Sequence, residues 1–445
     1  MNVVMGPLTL TLRTPHIAIG GERHNKAGRP HGMRILRVHN RYQERGGEDV
    51  CFDAEVELLR DFGEDVSTLI VTNDDIPDNR SPLESIKLAA STVWSRFGYE
   101  RVDAAIREHR PDVVHFDNTF PLLSPAAYTA CRKHGVPVVQ TLHNYRLLCP
   151  NAVLYRDGHT CEECLGKVAP IPAIKHACYR DSRAQTGAVG AMITAHRMRG
   201  TWSRDVDRYI TMTAFERNKF IQGGFPADRI VIKPHFVRSG PPPPANAERS
   251  GLLYVGRLTE PKGLLTLIKA WQKVPAIRLT IVGDGPMTEE TEAAARQYPL
   301  LDYVGRKSSD EILELMARAE MLVAPTQMYE TFGRVAIEAF AQSTPVLAVN
   351  DGAIGEVVTD GVTGLHFQPG NVDDLSQRIR WAITHGAELR EMGRNAREEY
   401  ERRYTPETNY SELMDIYREV TNSSRGSRHI SQPVTGDSII LEQNA

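Results

Sequence analysis

Short β-branched runs alternate with amphipathic stretches of ten to fifteen residues from Met33 onward, broken once by four consecutive prolines, Pro241 to Pro244. Such alternation is the pattern of βαβ units, which assemble into parallel sheets covered by helices. The runs before the break are "RILRVHN", "VSTLIVT", "DVVHFDN", "VPVVQTLH" and "DRYITMT"; those after it are "LLYVGRL", "IRLTIVGDGP", "LDYVG", "MLVAPT", "PVLAVN" and "GLHFQP". Behind the first run, Val50, Ala54, Val56, Leu58 and Leu59 fall largely along one side of a helix that Gly63 ends. Consecutive prolines form neither helix nor central strand, so 238–250 reads as a semi-rigid linker. The chain is therefore expected to be α/β, with two doubly wound domains over 33–237 and 251–404 and a helix over 405–420.

The ends lack this pattern. Residues 1–32 are rich in Gly, Pro, His and Arg, and are expected to be a poorly ordered leader or the product of a start codon placed too early. The polar stretch 421–445 is expected to be disordered. No apolar run reaches the roughly 18 residues needed to span a bilayer, and the N-terminus lacks the plan of a signal peptide, which predicts a cytoplasmic protein. A length of 445 residues, 41% hydrophobic and 24% charged, suits two soluble domains, and a net charge of -3 gives no support for a polyanion binder.

Two parallel-sheet domains leave a cleft between the carboxyl edges of their sheets, where open α/β sheets bind ligands. The stretch "PTQMYETFGRVAIEAFAQ" brings two carboxylates to that edge. Glu330 leaves the strand "MLVAPT", and Glu338 lies inside the helix that follows. Eight helical positions would separate them by about 12 Å of rise and roughly 80° of rotation. Paired carboxylates acting on one glycosidic bond sit about 5 to 9.5 Å apart, so this pair is too spread for that chemistry. The spacing suits an elongated ligand with a polyol at each end and an anion between, facing the amides of Phe332, Gly333 and Arg334 at the helix start. A bland alternative, a capping acid and a solvated acid, conflicts with Glu338 lying between Ile337 and Ala339 in a mostly apolar helix.

"YETFGRVAIEAFAQSTPVLA", with "YVGRLTEPKG" upstream and "DGAIGEVVTDGVTG" downstream, resembles the signature set of retaining family 4 glycosyltransferases of the GT-B fold, two Rossmann-like domains facing across a cleft. The resemblance is strong over the C-terminal domain and looser over the N-terminal half, which through "GGED" and "LHNYRLLCP" resembles bacterial enzymes of exopolysaccharide, capsule or lipopolysaccharide assembly. It implies a donor that is a UDP- or GDP-sugar and an acceptor that is a glycan or lipid-linked saccharide. By this match Glu338 holds the ribose, Glu330 lies beside the donor sugar, and Arg257 and Lys262 meet the diphosphate. Cations preorganised there stabilise the leaving charge without a catalytic metal. His143 takes the position that faces the reacting sugar, and Gly46 and Gly47 form the turn that lets backbone approach donor and acceptor. Three positions depart from the family pattern: Gly355 where proline is frequent, Ser343 where a glycine usually ends the helix, and His235 in a common asparagine position.

Of six cysteines, four fall between 149 and 178. The Cys-x-x-Cys of Cys161 and Cys164, completed by Cys149 and Cys178, predicts a structural zinc site in an insertion over 144–180, with His159 or His176 as substitutes for one sulfur. Free thiols are the other reading; a disulfide is disfavoured in a reducing compartment. Cys51 and Cys131 are expected to pack inside helices. The stretch 182–202, with Arg183, Arg197 and Arg199, reads equally as a packed helix or as one touching anionic lipid at the inner membrane face. Two other functions are weighed against transfer: a nucleotide-sugar hydrolase or epimerase on the same scaffold, and a nucleic-acid binder built on the cysteine knuckle, which would need a basic surface.

Overall fold

The computed structural model describes residues 32–76, 81–244, 247–275 and 277–429. The first domain holds a six-stranded sheet of β1 (Arg34–Arg41), β2 (Asp65–Thr72), β3 (Val113–Asn118), β4 (Val138–Thr141), β7 (Arg208–Thr211) and β8 (Ile230–Ile232). The small hairpin β5 (Tyr155–Arg156) and β6 (His159–Thr160) lies in the insertion. The second sheet contains β9 (Leu252–Val255), β10 (Leu279–Val282), β11 (Leu301–Tyr303), β12 (Met321–Ala324), β13 (Val346–Val349) and β14 (Gly364–Phe367).

Both large sheets are parallel, ordered β2-β1-β3-β4-β7-β8 and β11-β10-β9-β12-β13-β14. Their strands are buried on both faces by helices, which is why they read as continuous apolar runs. Each order reverses once, between β1 and β3 in the first sheet and between β9 and β12 in the second. At such a switch point neighbouring loops leave in opposite directions and open a crevice at the carboxyl edge. The loops after β1, β9 and β12 carry Gly46–Gly47, Arg257–Lys262 and Glu330–Gly333. Topology thus gathers most of the residues singled out above.

Two features lie beyond the sequence pattern. Strand β8 ends at Lys233-Pro234, and a run this short before proline gives little signal. The last helix runs over Pro406–His429, past Thr421, where a disordered tail is expected; Thr421 is buried and its Oγ1 donates to the carbonyl of Tyr417 at 2.9 Å. This helix follows the second domain in sequence but packs on the first. Leu413, Met414, Tyr417 and Val420 share a core with Ile35, Phe52 and Val139. The leader call over 1–32 lies outside the described residues apart from Gly32, as does the tail call over 430–445. The helix Arg183–Arg199 buries Val189, Met192 and Ile193 against its neighbours, while Met198 is exposed. Among the described residues no helix is long and apolar enough to cross a membrane.

Under the first sheet's carboxyl edge lies a chain of buried charges. Arg37 donates to Glu55 Oε2 at 3.0 Å and to Asp117 Oδ2 at 2.7 Å, while Lys233 Nζ reaches Glu55 Oε1 at 2.7 Å. Burial alone would neutralise these carboxyls, but Lys233 and Arg37 hold Glu55, and Arg37 with His143 holds Asp117, well below the usual carboxylate range. Removing one member leaves an uncompensated buried charge. Glu55→Ala, which strips Lys233 of its carboxylate and Arg37 of one of two, is expected to cost about 3–5 kcal/mol, read as a lower urea midpoint. A loss under about 1 kcal/mol, typical of surface pairs, would contradict this account of the network.

Candidate functional site

The interdomain cleft has a volume of about 460 Å³, within the range for small-ligand sites. Its second-domain wall is built by loops after β9 and β12 that approach within bonding distance: Gln327 N donates to Pro261 O at 2.8 Å. Gly263 permits this approach, because a Cβ there would fall 1.8 Å from Pro325 O at a φ of +74°. The β12 loop then turns into the helix Arg334–Ala341 through Gly333, whose φ of +89° is left-handed and whose Cβ would meet Ile354 at 3.0 Å. Phe332, Gly333 and Arg334 line the cleft where the first-turn amides of this helix have no intrahelical acceptor.

Both glutamates line the same cavity. Glu330 accepts from Lys262 Nζ at 2.7 Å. Glu338 lies 3.0 Å from Arg334 Nε, and burial raises its pKa against that guanidinium's pull. Arg257 is placed differently: it does not line the cavity, is more than half exposed, and pairs with Glu44 of the first domain. Every cation of the expected diphosphate site thus already faces a carboxylate.

The first-domain wall is organised by Asp117, at the carboxyl end of β3. Its Oδ2 takes Arg37 and its Oδ1 accepts from His143 Nε2 at 2.9 Å, leaving Nδ1 as the other ring nitrogen. Burial works against a charged ring at His143, but the Asp117 hydrogen bond and the Glu48 carboxyl outweigh it, so its pKa is raised. His235 stacks on His143 with centroids 5.3 Å apart and meets Phe332 edge-on at 5.6 Å. Burial and the facing His143 push its own pKa well down, which makes it a neutral ring. Gly47 lines the cavity, and a Cβ on Gly46 or Gly47 would meet nothing within 4 Å. Cys51, expected only to pack, also forms part of the wall, with Sγ 4.0 Å from Arg334 Nη1; Cys131 is fully buried in its helix.

The domains are tied across the cleft by the loop after β12. Thr331 Oγ1 donates to His143 O at 3.1 Å, Thr213 Oγ1 donates to Thr331 O at 3.2 Å, and the Tyr145 hydroxyl reaches Glu330 O at 3.4 Å. Glu356 of the second domain accepts from the amides of Ala214 and Phe215, at 2.8 and 2.7 Å. Of the departures in sequence, Ser343 adopts a φ of +55°, so the left-handed turn usually given to glycine is made here by a residue with a side chain.

The structure does not support the zinc expectation. Cys149, Cys161, Cys164 and Cys178 do gather around one cavity, of about 10 Å³, but among the described residues no group of three or more His, Cys, Asp or Glu is arranged to hold a metal ion. Burial pushes the Cys164 thiol up to about 11 and raises Cys149 and Cys178. His159 and His176 are exposed. The insertion is held instead by buried Leu147, Leu148 and Leu154 and by ion pairs such as Lys219 with Glu162 at 2.6 Å.

Comparison with known proteins bears on each half separately. Residues 46–235 match the family described as Glycosyl transferase 4-like domain, and residues 241–399 match Glycosyl transferases group 1. The chain carries the two domains of a GT-B glycosyltransferase. Sulfoquinovosyl transferase SQD2 of Arabidopsis thaliana is 24% identical over 371 residues, covering 79% of this chain and 66% of that one. Glycogen synthase of Mycobacterium tuberculosis is 29% identical over 304 residues, covering 66% and 65%. The chain therefore spans just under two thirds of the length of these curated relatives. Among solved structures, Anabaena Alr3699/HepE in complex with UDP superposes with a TM-score of 0.63 at 17% identity, covering 87% of this chain and all of that one. Neither a hydrolase or epimerase nor a nucleic-acid binder is favoured by these GT-B relatives.

The positioning role of Asp117 has a measurable consequence. A raised native pKa means that His143 stabilises the fold fully below its unfolded value and loses that contribution as pH rises through the native one. In Asp117→Asn the His143 titration, followed by NMR of its ring protons, is expected to move to lower pH, and stability should vary less across that window. An unmoved titration would contradict the role assigned to Asp117.

Proposed function

We propose that the protein transfers a sugar from a nucleotide-sugar donor to a glycan or lipid-linked saccharide, with retention of anomeric configuration, in the assembly of a cell-surface polysaccharide. The observation that carries this reading is the placement of Glu330, the Gly333 helix start and Glu338 in that order along one wall of the cleft. The diphosphate lies at the helix start, with Lys262 and Arg334 as its cations, and Arg257 swings in from Glu44. Glu338 takes the ribose hydroxyls and Glu330 the donor sugar. UDP, present in the solved HepE complex, supports a UDP-sugar, with a GDP-sugar as the second choice.

Opposite the donor, His143 is held by Asp117 and presents its remaining edge to the reacting carbon. In front-side displacement the bond from the anomeric carbon to the β-phosphate oxygen breaks while the acceptor oxygen bonds to the same face. The acceptor's proton passes to the departing phosphate oxygen, and the cations stabilise the growing charge there. A covalent sugar adduct on any side chain would contradict this step.

Thermal unfolding with UDP, GDP, ADP and their sugars tests donor class and site together. One nucleotide series is expected to stabilise the wild type, by about 2.7 kcal/mol at roughly a hundredfold excess over Kd, and to lose that effect in Glu338→Ala. Equal stabilisation of wild type and variant would remove Glu338 from the donor site.

A further inference from the structure

The helix Pro82–Val93 of the first domain is barely covered. It packs on the helix Arg183–Arg199, Thr92 is its one buried residue, and its Leu83 and Ile86 are 60% and 66% exposed. Trp94 and Phe97, on either side of the helix break at Ser95, are exposed as well. Met198, near the end of the helix Arg183–Arg199, is 76% exposed, and Val168 and Ile171 stand out from the short segment that packs on that same helix. Most of the large apolar side chains exposed among the described residues thus lie on adjoining elements of this one region. Single exposed apolar residues are ordinary, but a cluster of them marks a surface that another body covers.

Charge narrows what that body is. Residues 82–101 and 167–199 carry three carboxylates, Glu84, Glu100 and Asp181, against nine lysines and arginines, in a chain whose net charge is -3. Glu84 caps its own helix start at Ser81, and Glu100 pairs with Arg96. Lys87, Lys175, Arg183 and Arg199 are exposed and in no ion pair among the described residues. Arg199 lies over the Trp94 ring at 4.8 Å and Arg101 over the Phe97 ring at 5.2 Å. Exposed aliphatic and aromatic side chains interleaved with basic ones suit the headgroup boundary of an anionic bilayer, where rings and chains enter the apolar layer and the cations meet phosphate.

The patch also has a fixed place. Ser95 Oγ donates to Leu122 O at 2.6 Å, and Leu122 N donates to Asn40 Oδ1 at 2.9 Å, so the Trp94–Phe97 turn is fastened to the loop after β3, at the sheet edge that opens on the cleft. We propose that this face of the first domain, centred on Leu83, Ile86, Trp94, Phe97 and Met198, docks on an anionic lipid bilayer. On the transfer reading, docking brings the cleft to a lipid-linked saccharide; the docking itself does not rest on that reading.

Flotation of the full chain with vesicles, one set of phosphatidylcholine alone and one of equal parts phosphatidylcholine and phosphatidylglycerol, tests it. The wild type is expected to bind the mixed vesicles, and to be partly released by salt. The double variants Leu83→Gln/Ile86→Gln and Lys87→Glu/Arg199→Glu should each weaken that binding about tenfold or more, with thermal unfolding midpoints unchanged because the substituted side chains are exposed. Ile383→Gln, an exposed apolar position of the second domain, should bind as the wild type does. No binding to the mixed vesicles, equal binding to both sets, or binding that neither double variant alters would overturn the proposal. So would self-association without vesicle binding that Leu83→Gln/Ile86→Gln abolishes, which would assign the face to a second copy of the chain. The assay contains no nucleotide, so its failure leaves the donor reading standing, and a failure to bind UDP leaves the docking standing.

Discussion

The two oxygens of Asp117 join the core of the first domain to its cleft. One receives Arg37 from the buried network that also holds Glu55 and Lys233; the other receives His143 at the surface of the site. A buried ion pair of this kind contributes little net stability against an apolar alternative, yet breaking it is costly, so it fixes a geometry more than it strengthens a fold. The same network extends to the last helix: His115 lies beside Arg37, is bonded to the Tyr417 hydroxyl at 2.6 Å, and has its pKa lowered to about 3 by burial and by that guanidinium. The segment that crosses back from the second domain is thereby packed against the network that holds His143.

The second domain forms the other wall of the cleft. Its switch point brings two loops together, Gly263 lets them touch, and Gly333 turns the chain so that a helix begins facing the cleft. The cations do not stand free: Lys262 faces Glu330, Arg334 faces Glu338 and Arg257 faces Glu44. Pairing offsets the cost of concentrating charge in a partly buried crevice. It also means that a diphosphate must compete with carboxylates for each cation. The loop bearing Glu330 is clasped by Tyr145, the His143 carbonyl and Thr213 of the opposite domain, so the shape of this wall depends on contacts from both domains.

The strands were legible because parallel sheets bury both faces and leave unbroken apolar runs, as in "MLVAPT" and "PVLAVN". Glu330, Glu338 and Gly333 were legible because they follow such a run at fixed offsets. What could not be read depends on contacts between distant segments. Nothing in "TNSSRGSRH" shows that the last helix continues through it, and nothing in the spacing of the four cysteines shows whether their sulfurs reach metal geometry. Asp117 sits in "DVVHFDN" as one polar residue at a strand end, and only the fold reveals that it serves Arg37 and His143 together.

The central claim is that one sugar nucleotide lies along the second-domain wall, with its diphosphate on the amides of Gly333 and Arg334. The most direct measurement is a crystal structure of the full chain with UDP bound. The account requires the phosphates within hydrogen-bonding distance of those amides and the ribose hydroxyls on Glu338. UDP held elsewhere, or with its ribose turned away from Glu338, would contradict it.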